Sequence, residues 1–142
     1  MSDQSWESVH EGIETHLCSD EAVEFVVAFG SWVDGSPHGG SDIDIAVQFA
    51  EELDDYERFR KRCFFSAVLQ QEDAPFVDLA DIESLPLPVA HDAINGRFLC
   101  GDRESFRERK ADIETRFDHH EEAFDERNRA VIERIASEGL RG

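Results

Sequence analysis

From Asp42 to Phe49 the chain reads Asp-Ile-Asp-Ile-Ala-Val-Gln-Phe, and its first half strictly alternates acidic and apolar side chains. Such alternation is the mark of a β-strand with one face in a core, because successive side chains leave opposite faces of the pleat. Ile43 and Ile45 are therefore expected in the core, with Asp42 and Asp44 projecting together from the other face, their Cα atoms about 6.6 Å apart. Two carboxylates that close repel unless a cation lies between them, and hard divalent ions suit both carboxylates and phosphate oxygens. By itself, Asp-x-Asp fits a solvated strand face of an acidic protein as well as it fits a metal site.

The residues before this strand add to the pattern. Val23 to Phe29, Val-Glu-Phe-Val-Val-Ala-Phe, is β-branched and aromatic and stops at Gly30, which predicts a buried strand running into a turn. Gly30 lets a phosphate approach the backbone closely, free N–H groups at such a turn favour an anion, and Ser31 adds a hydroxyl donor. Gly35 to Ser41 is dense in turn residues and reads as loop. A third acid comes from Pro75-Phe-Val-Asp-Leu-Ala-Asp-Ile82, read as a strand opened by proline. Asp78 sits there among Phe76, Val77, Leu79 and Ala80, where an unpaired carboxylate would cost several kcal/mol to bury. A metal shared with Asp42 and Asp44 would compensate it and leave it placed to accept a proton from an attacking hydroxyl. Asp81 competes for the role, but a three-residue offset puts it on the opposite face of the strand.

The remaining elements follow from periodicity. Trp6, Val9, Ile13 and Leu17 predict an amphipathic N-terminal helix. Between Glu51 and Gln70, the residues Leu53, Tyr56, Cys63, Phe64, Ala67 and Val68 predict a helix covering one sheet face with that stripe. A short helix near Val89 to Ile94 and a strand at Arg97 to Cys100 come next. Arg103 to Ser137 lacks glycine and proline and predicts one long helix or two stacked ones. Its stripe of Phe106, Phe117 and Phe124 is as well suited to a partner surface as to a core, since a short chain cannot bury so long a helix throughout. The expectation is an α/β or α+β fold, a small mixed sheet flanked by helices, with residues 1–142 forming a single domain.

Composition narrows the partners. With 142 residues, 33 acids against 14 bases and a net charge of −19, the surface repels phosphate backbones, which excludes long double-stranded nucleic acid as an expected ligand. The balance resembles proteins of salt-rich, halophilic cytoplasm, where charges are screened within a few ångströms. No apolar run approaches the length of a membrane helix and the polar start lacks a signal pattern, so a soluble, cytoplasmic protein is expected. The three cysteines, Cys18, Cys63 and Cys100, are far apart without CxxC spacing and read as reduced, partly buried thiols. His119 and His120 are adjacent and cannot form the i, i+4 pair of a helical zinc site.

Gly-Ser-x-x-x-Gly from Gly30, the loop, then Ser41-Asp42-x-Asp44 and an acid on a later strand resemble the nucleotidyltransferase superfamily of DNA polymerase beta. The short length, and Ala93-Ile-Asn-Gly-Arg-Phe-Leu-Cys-Gly-Asp102 before a long helix, make the chain most similar to the minimal nucleotidyltransferases called MNT. The resemblance covers residues 23–102, with residues 103–137 as a C-terminal helical segment. It implies the polymerase beta-like fold, ATP as substrate, two magnesium ions held by Asp42, Asp44 and Asp78, and the nucleotide seated on Gly30, Ser31 and Ser41. It further implies an antitoxin that transfers AMP to a tyrosine of a HEPN-domain ribonuclease toxin, with which it could form a hetero-oligomer. Trp32 and Asp34 stand where relatives often carry arginines, leaving fewer cations for the triphosphate, so strong metal dependence is expected. Two rivals are a non-catalytic antitoxin that acts by binding alone and a small-molecule nucleotidyltransferase of the antibiotic-modifying sort. The lack of a second substrate domain argues against the latter.

Overall fold

The computed structural model describes residues 2–30, 33, 42–70 and 76–138. Helix α1 (Ser2–Gly12) continues through a π-helical turn, Ile13–Leu17, into strand β1 (Val23–Phe29). Strand β2 (Ile43–Phe49), helix α2 (Asp55–Leu69) and strand β3 (Val77–Asp81) follow, then a 3₁₀ turn at Ile82–Ser84. Helix α3 (Leu87–Ile94), strand β4 (Arg97–Gly101) and helix α4 (Arg103–Glu138) complete the order. The four strands form one sheet in the order β3-β2-β1-β4, with β2 and β3 parallel and the other pairs antiparallel, so the expected mixed sheet is present. The parallel pair requires a crossover, and α2 supplies it.

Both sheet faces are covered, and strand alternation decides which side chain meets which helix. Val26, Ala28, Ile43, Ile45, Val47, Val77 and Leu79 point to one face, where Val9, Ile13, Leu17, Phe65 and Leu69 close over them. Phe25, Val27 and Ala46 point to the other, against Ala90, Ala93, Ile94 and Ile113. The N-terminal stripe is thus core as expected, with Val9, Ile13 and Leu17 fully buried. Helix α4 is one helix of 36 residues, about 54 Å at 1.5 Å per residue. Phe106 meets Phe25 and Phe98 edge-on and Ile113 is buried, but every described side chain from Asp118 to Ile135 is exposed. Among the described residues no helix is long and apolar enough to cross a membrane.

Two expectations fail here. Most of the stripe proposed as the inward face of α2 points outward: Tyr56 is 66% and Phe64 57% exposed, whereas Phe65 and Leu69 are the buried residues and, of the expected set, Leu53 packs against the core. The helix carries two apolar stripes about half a turn apart, and periodicity alone cannot choose between them. The choice is made by Phe65, which stacks on Phe49, and by Arg58, which faces inward to Asp81. The cysteines also differ from expectation. Cys18 and Cys100 form a disulfide across a sequence separation of 82, with Cα atoms 5.9 Å apart, and Cys63 is exposed. Cys18 closes the π-helical turn that leads into β1, and Cys100 lies beside Val26 of β1, a proximity created only by sheet pairing.

Asp81 is the buried acid of β3, 4% exposed, and Arg58 Nε donates to it at 2.8 Å. Burial alone would disfavour the Arg58 charge, but the bond to Asp81 and the nearby charges of Asp81, Glu83 and Asp55 raise its pKa instead. Removing one partner of such a pair strands the other charge in the interior, which costs about 3 kcal/mol or more. Arg58→Met is therefore expected to lower unfolding free energy by about that amount in urea titrations, and adding Asp81→Leu should restore much of it. A loss below about 1 kcal/mol in the single variant would show that the pair does not tie α2 to the sheet.

Candidate active site

Strand register brings the acidic residues together. Phe29 of β1 lies opposite Asp44 of β2, and Asp44 lies opposite Asp78 of β3. Adjacent strands are about 4.8 Å apart, so Asp44 and Asp78 stand side by side on the face that also carries Ala46. Ile43 and Ile45 are fully buried on the reverse face and fix this orientation. Asp42 is exposed just before β2 begins. Gly30 ends β1 with φ +82°, and a methyl group built on it would run into the Asp44 carboxylate. A side chain there would face a backbone penalty and a clash together, so the turn holds its glycine for two reasons.

Asp78 reaches this corner for a different reason from the one its neighbours suggested. It is exposed, while the acid that burial forces into partnership is Asp81, on the opposite face and satisfied by Arg58 and by the Glu83 N–H. The opposite-face argument for separating the two acids holds; the burial argument for Asp78 does not. Ser31 and Ser41, together with Trp32 and Asp34, lie outside the described residues.

A cleft of about 600 Å³ opens beside the acids, within the size range of small-molecule sites. Its acidic wall is Asp44 and Asp78, with the Gly30 turn at one end, and Phe29, Ala80, Leu85 and Val89 supply apolar surface. The far wall is α3, whose Ala90, Ala93 and Ile94 are buried against the sheet and so leave His91, Asp92 and Asn95 lining the cleft. The ring of His91 stacks on Phe117 of α4, centroids 3.8 Å apart and nearly parallel. Gly96 ends α3 where a side chain would strike the Ala28 carbonyl, and this close approach seats the helix end against β1. His91 and Asp92 were not singled out from sequence, and Asn95 and Gly96 only as part of the segment that carries the family resemblance. A short helix was expected near 89–94, but which strand it crosses depends on long-range packing that local periodicity does not report.

Burial pushes the Asp44 carboxyl above the usual aspartate range, and the neighbouring charges of Asp78 and Asp42 push it further. A site that disfavours its own ionised carboxylate in this way is one where an added cation is stabilising. Among the described residues no three ligating side chains converge tightly enough to enclose an ion unaided. Carboxylates are the donors that suit a hard ion such as magnesium, which keeps several waters and takes further ligands from substrate phosphates.

A polymerase beta nucleotidyltransferase family model matches residues 11–105. No curated protein is similar enough in sequence to match the chain. Among solved structures, a toxin–antitoxin with AMP-PNP is similar with a TM-score of 0.61 at 21% identity, over 92% of this chain and 97% of that one. A tri-AMPylated HEPN toxin in complex with MNT antitoxin from Shewanella oneidensis gives 0.57 at 18%, over 96% and 99%. A toxin–antitoxin MntA-HepT structure gives 0.56 at 18%, over 94% and 98%. At these identities the likeness establishes the fold.

The raised carboxyl carries a stability consequence whose sign is fixed. Asp44 binds its proton more tightly folded than unfolded, so the native state loses stability as pH rises from the ordinary value of 3.8 through the raised one. Without divalent ions at neutral pH, Asp44→Asn should melt at a higher temperature than the wild type, and the gap should close as pH falls below 3.8. Magnesium should raise the wild-type midpoint more than that of the variant. Asp118→Asn, on the exposed half of α4, controls for the mere loss of one charge. Equal shifts from both substitutions would deny the acidic corner any special repulsion.

Proposed function

Because the chain belongs to the polymerase beta nucleotidyltransferase family, we propose that it transfers AMP from ATP to a tyrosine hydroxyl of a HEPN-type ribonuclease toxin and so acts as its antitoxin. The observation that carries this reading is the in-register pair of Asp44 and Asp78 beside the Gly30 turn, at the mouth of a cleft of nucleotide size. AMP-PNP in one similar toxin–antitoxin and AMP on the HEPN toxin of another support the choice of nucleotide and acceptor. On this reading residues 1–142 act as one minimal nucleotidyltransferase domain.

In the proposed reaction the triphosphate lies on Gly30, with Ser31 and Ser41 donating to its oxygens. Asp42, Asp44 and Asp78 would hold magnesium, which supplies the positive charge that offsets the triphosphate and the two oxygens exchanging places at phosphorus. The tyrosine oxygen attacks the α-phosphorus in line, forming the new O–P bond as the bond to the β-phosphate oxygen breaks and pyrophosphate leaves. Asp78, exposed at the corner, accepts the hydroxyl proton. The cleft's far wall positions the rest of the nucleotide or the acceptor ring, and the flat His91–Phe117 pair offers a surface for either. A bulky anionic adduct on a ribonuclease would repel RNA by the electrostatics that make RNA binding salt-dependent.

The same reading places the work in a cytoplasm, and the charge of −19 suits a salt-rich one. A disulfide such as Cys18–Cys100 is uncommon in reducing cytosol, so thiol state must be controlled in any assay. The rival reading, neutralisation by binding alone, draws on the outer half of α4, where Val131, Ile132 and Ile135 are exposed.

Stoichiometry and mass separate the two. With ATP and magnesium, a small fraction of this chain should silence an excess of the toxin, add the mass of AMP to it, and leave it silent after separation. The Asp42→Ala, Asp44→Ala double variant should do none of these. Equal protection by both proteins, only at equimolar amounts and without a mass change, would establish the binding module instead.

A further inference from the structure

The outward face of α2 has the composition of a core. Tyr56, Phe59 and Phe64 are 66%, 53% and 57% exposed, and Cys63 and Ala67 join them at helical spacing. With Phe65 and Leu69 buried beneath, the helix is apolar on both sides, the pattern of a helix covered from both sides. The face is also cationic within a chain of net charge −19. Arg60 lies over the Tyr56 ring and Arg62 over the Phe59 ring. A groove of about 370 Å³ runs between Glu57, Arg60, Lys61 and Phe64.

We propose that this face binds a second copy of the chain, with the two α2 helices antiparallel about a two-fold axis near Phe59. The charge order along α2 singles out this occupant. On its outward face Glu57 stands in the first turn and Arg60 and Arg62 in the next, while Arg58 and Lys61 are held within the chain by Asp81 and Asp20. Antiparallel pairing about Phe59 brings Glu57 of each copy toward Arg60 of the other, so one two-fold contact makes the same acid–base pairing twice. It also opposes the two helix dipoles favourably and covers both phenylalanines and the tyrosine. A parallel pairing would align like charges. Because α2 packs on the sheet face opposite α3 and the cleft, the pairing leaves both clefts open.

Cys63 makes the contact measurable, since the other two cysteines are joined and a maleimide-polyethylene glycol reagent labels this face alone. Light scattering of the full chain across a concentration series should show a monomer passing to a dimer. Labelling of Cys63 should slow by about tenfold once roughly nine-tenths of the chain is dimeric, as mass action requires. Phe59→Glu should remain monomeric with unchanged circular dichroism and label rapidly at every concentration. Arg60→Glu, which sets acid against Glu57, should do likewise at low salt. A wild type that stays monomeric, with Cys63 labelled at one rate throughout, overturns the proposal. So does protection of Cys63 that appears only when a HEPN toxin is added, which would assign the face to that partner.

Discussion

Electrostatic crowding at one corner of the sheet is the constraint around which the rest of the structure is arranged. Asp44 and Asp78 are neighbours because β2 and β3 run parallel in register, and Asp42 adds a third charge at the strand entrance. Left to themselves these carboxylates would move apart. They cannot, because Ile43, Ile45, Val77 and Leu79 anchor the same strands in a core packed on the reverse face. Burial and this repulsion together are instead expressed as a raised carboxyl pKa at Asp44, and a carboxylate disfavoured in this way is stabilised by an added cation.

Each helix supports that corner in its own way. Helix α2 makes the crossover that parallel pairing demands and ties itself down through Arg58, which neutralises the buried acid Asp81. The alternation of β3 therefore separates two aspartates by task, one facing α2 as a structural partner and one facing the cleft. Helix α3 closes the opposite side, held by small residues, Ala90 and Ala93, that allow it close to β1. Phe117 of α4 backs the His91 ring, so the helix up to that residue belongs to the cleft's support, and the described side chains from Asp118 to Ile135 are exposed.

The parts readable from sequence were those in which local pattern and fold agree. Val23–Phe29 and the alternating Asp42–Phe49 were recognisable as strands because burial on one or both faces writes itself into neighbouring residues. The Gly30 turn and the aspartates were recognisable because chemistry requires them at short spacing. What could not be read depends on distance across the fold. Cys18 and Cys100 meet only after β4 pairs with β1, and nothing between them in sequence announces it. Tyr56 and Phe64 looked like core because they are as apolar as Phe65 and Leu69, and only the tertiary partners Phe49 and Asp81 choose the inner stripe. His91 and Asp92 carried no motif at all; packing of α3 over the sheet makes them part of the cleft.

A chain this acidic attracts divalent ions at many places, so the central claim concerns where an ion is held rather than whether one binds. Manganese added with a non-hydrolysable ATP analogue to isotopically labelled protein broadens the resonances of nearby residues. In high salt, which suppresses diffuse surface attraction, the account predicts selective broadening at Gly30, Asp44 and Asp78, lost in Asp44→Asn. Broadening centred instead on the acidic outer half of α4 around Glu121 and Glu122, with Asp44 and Asp78 unaffected, would contradict it.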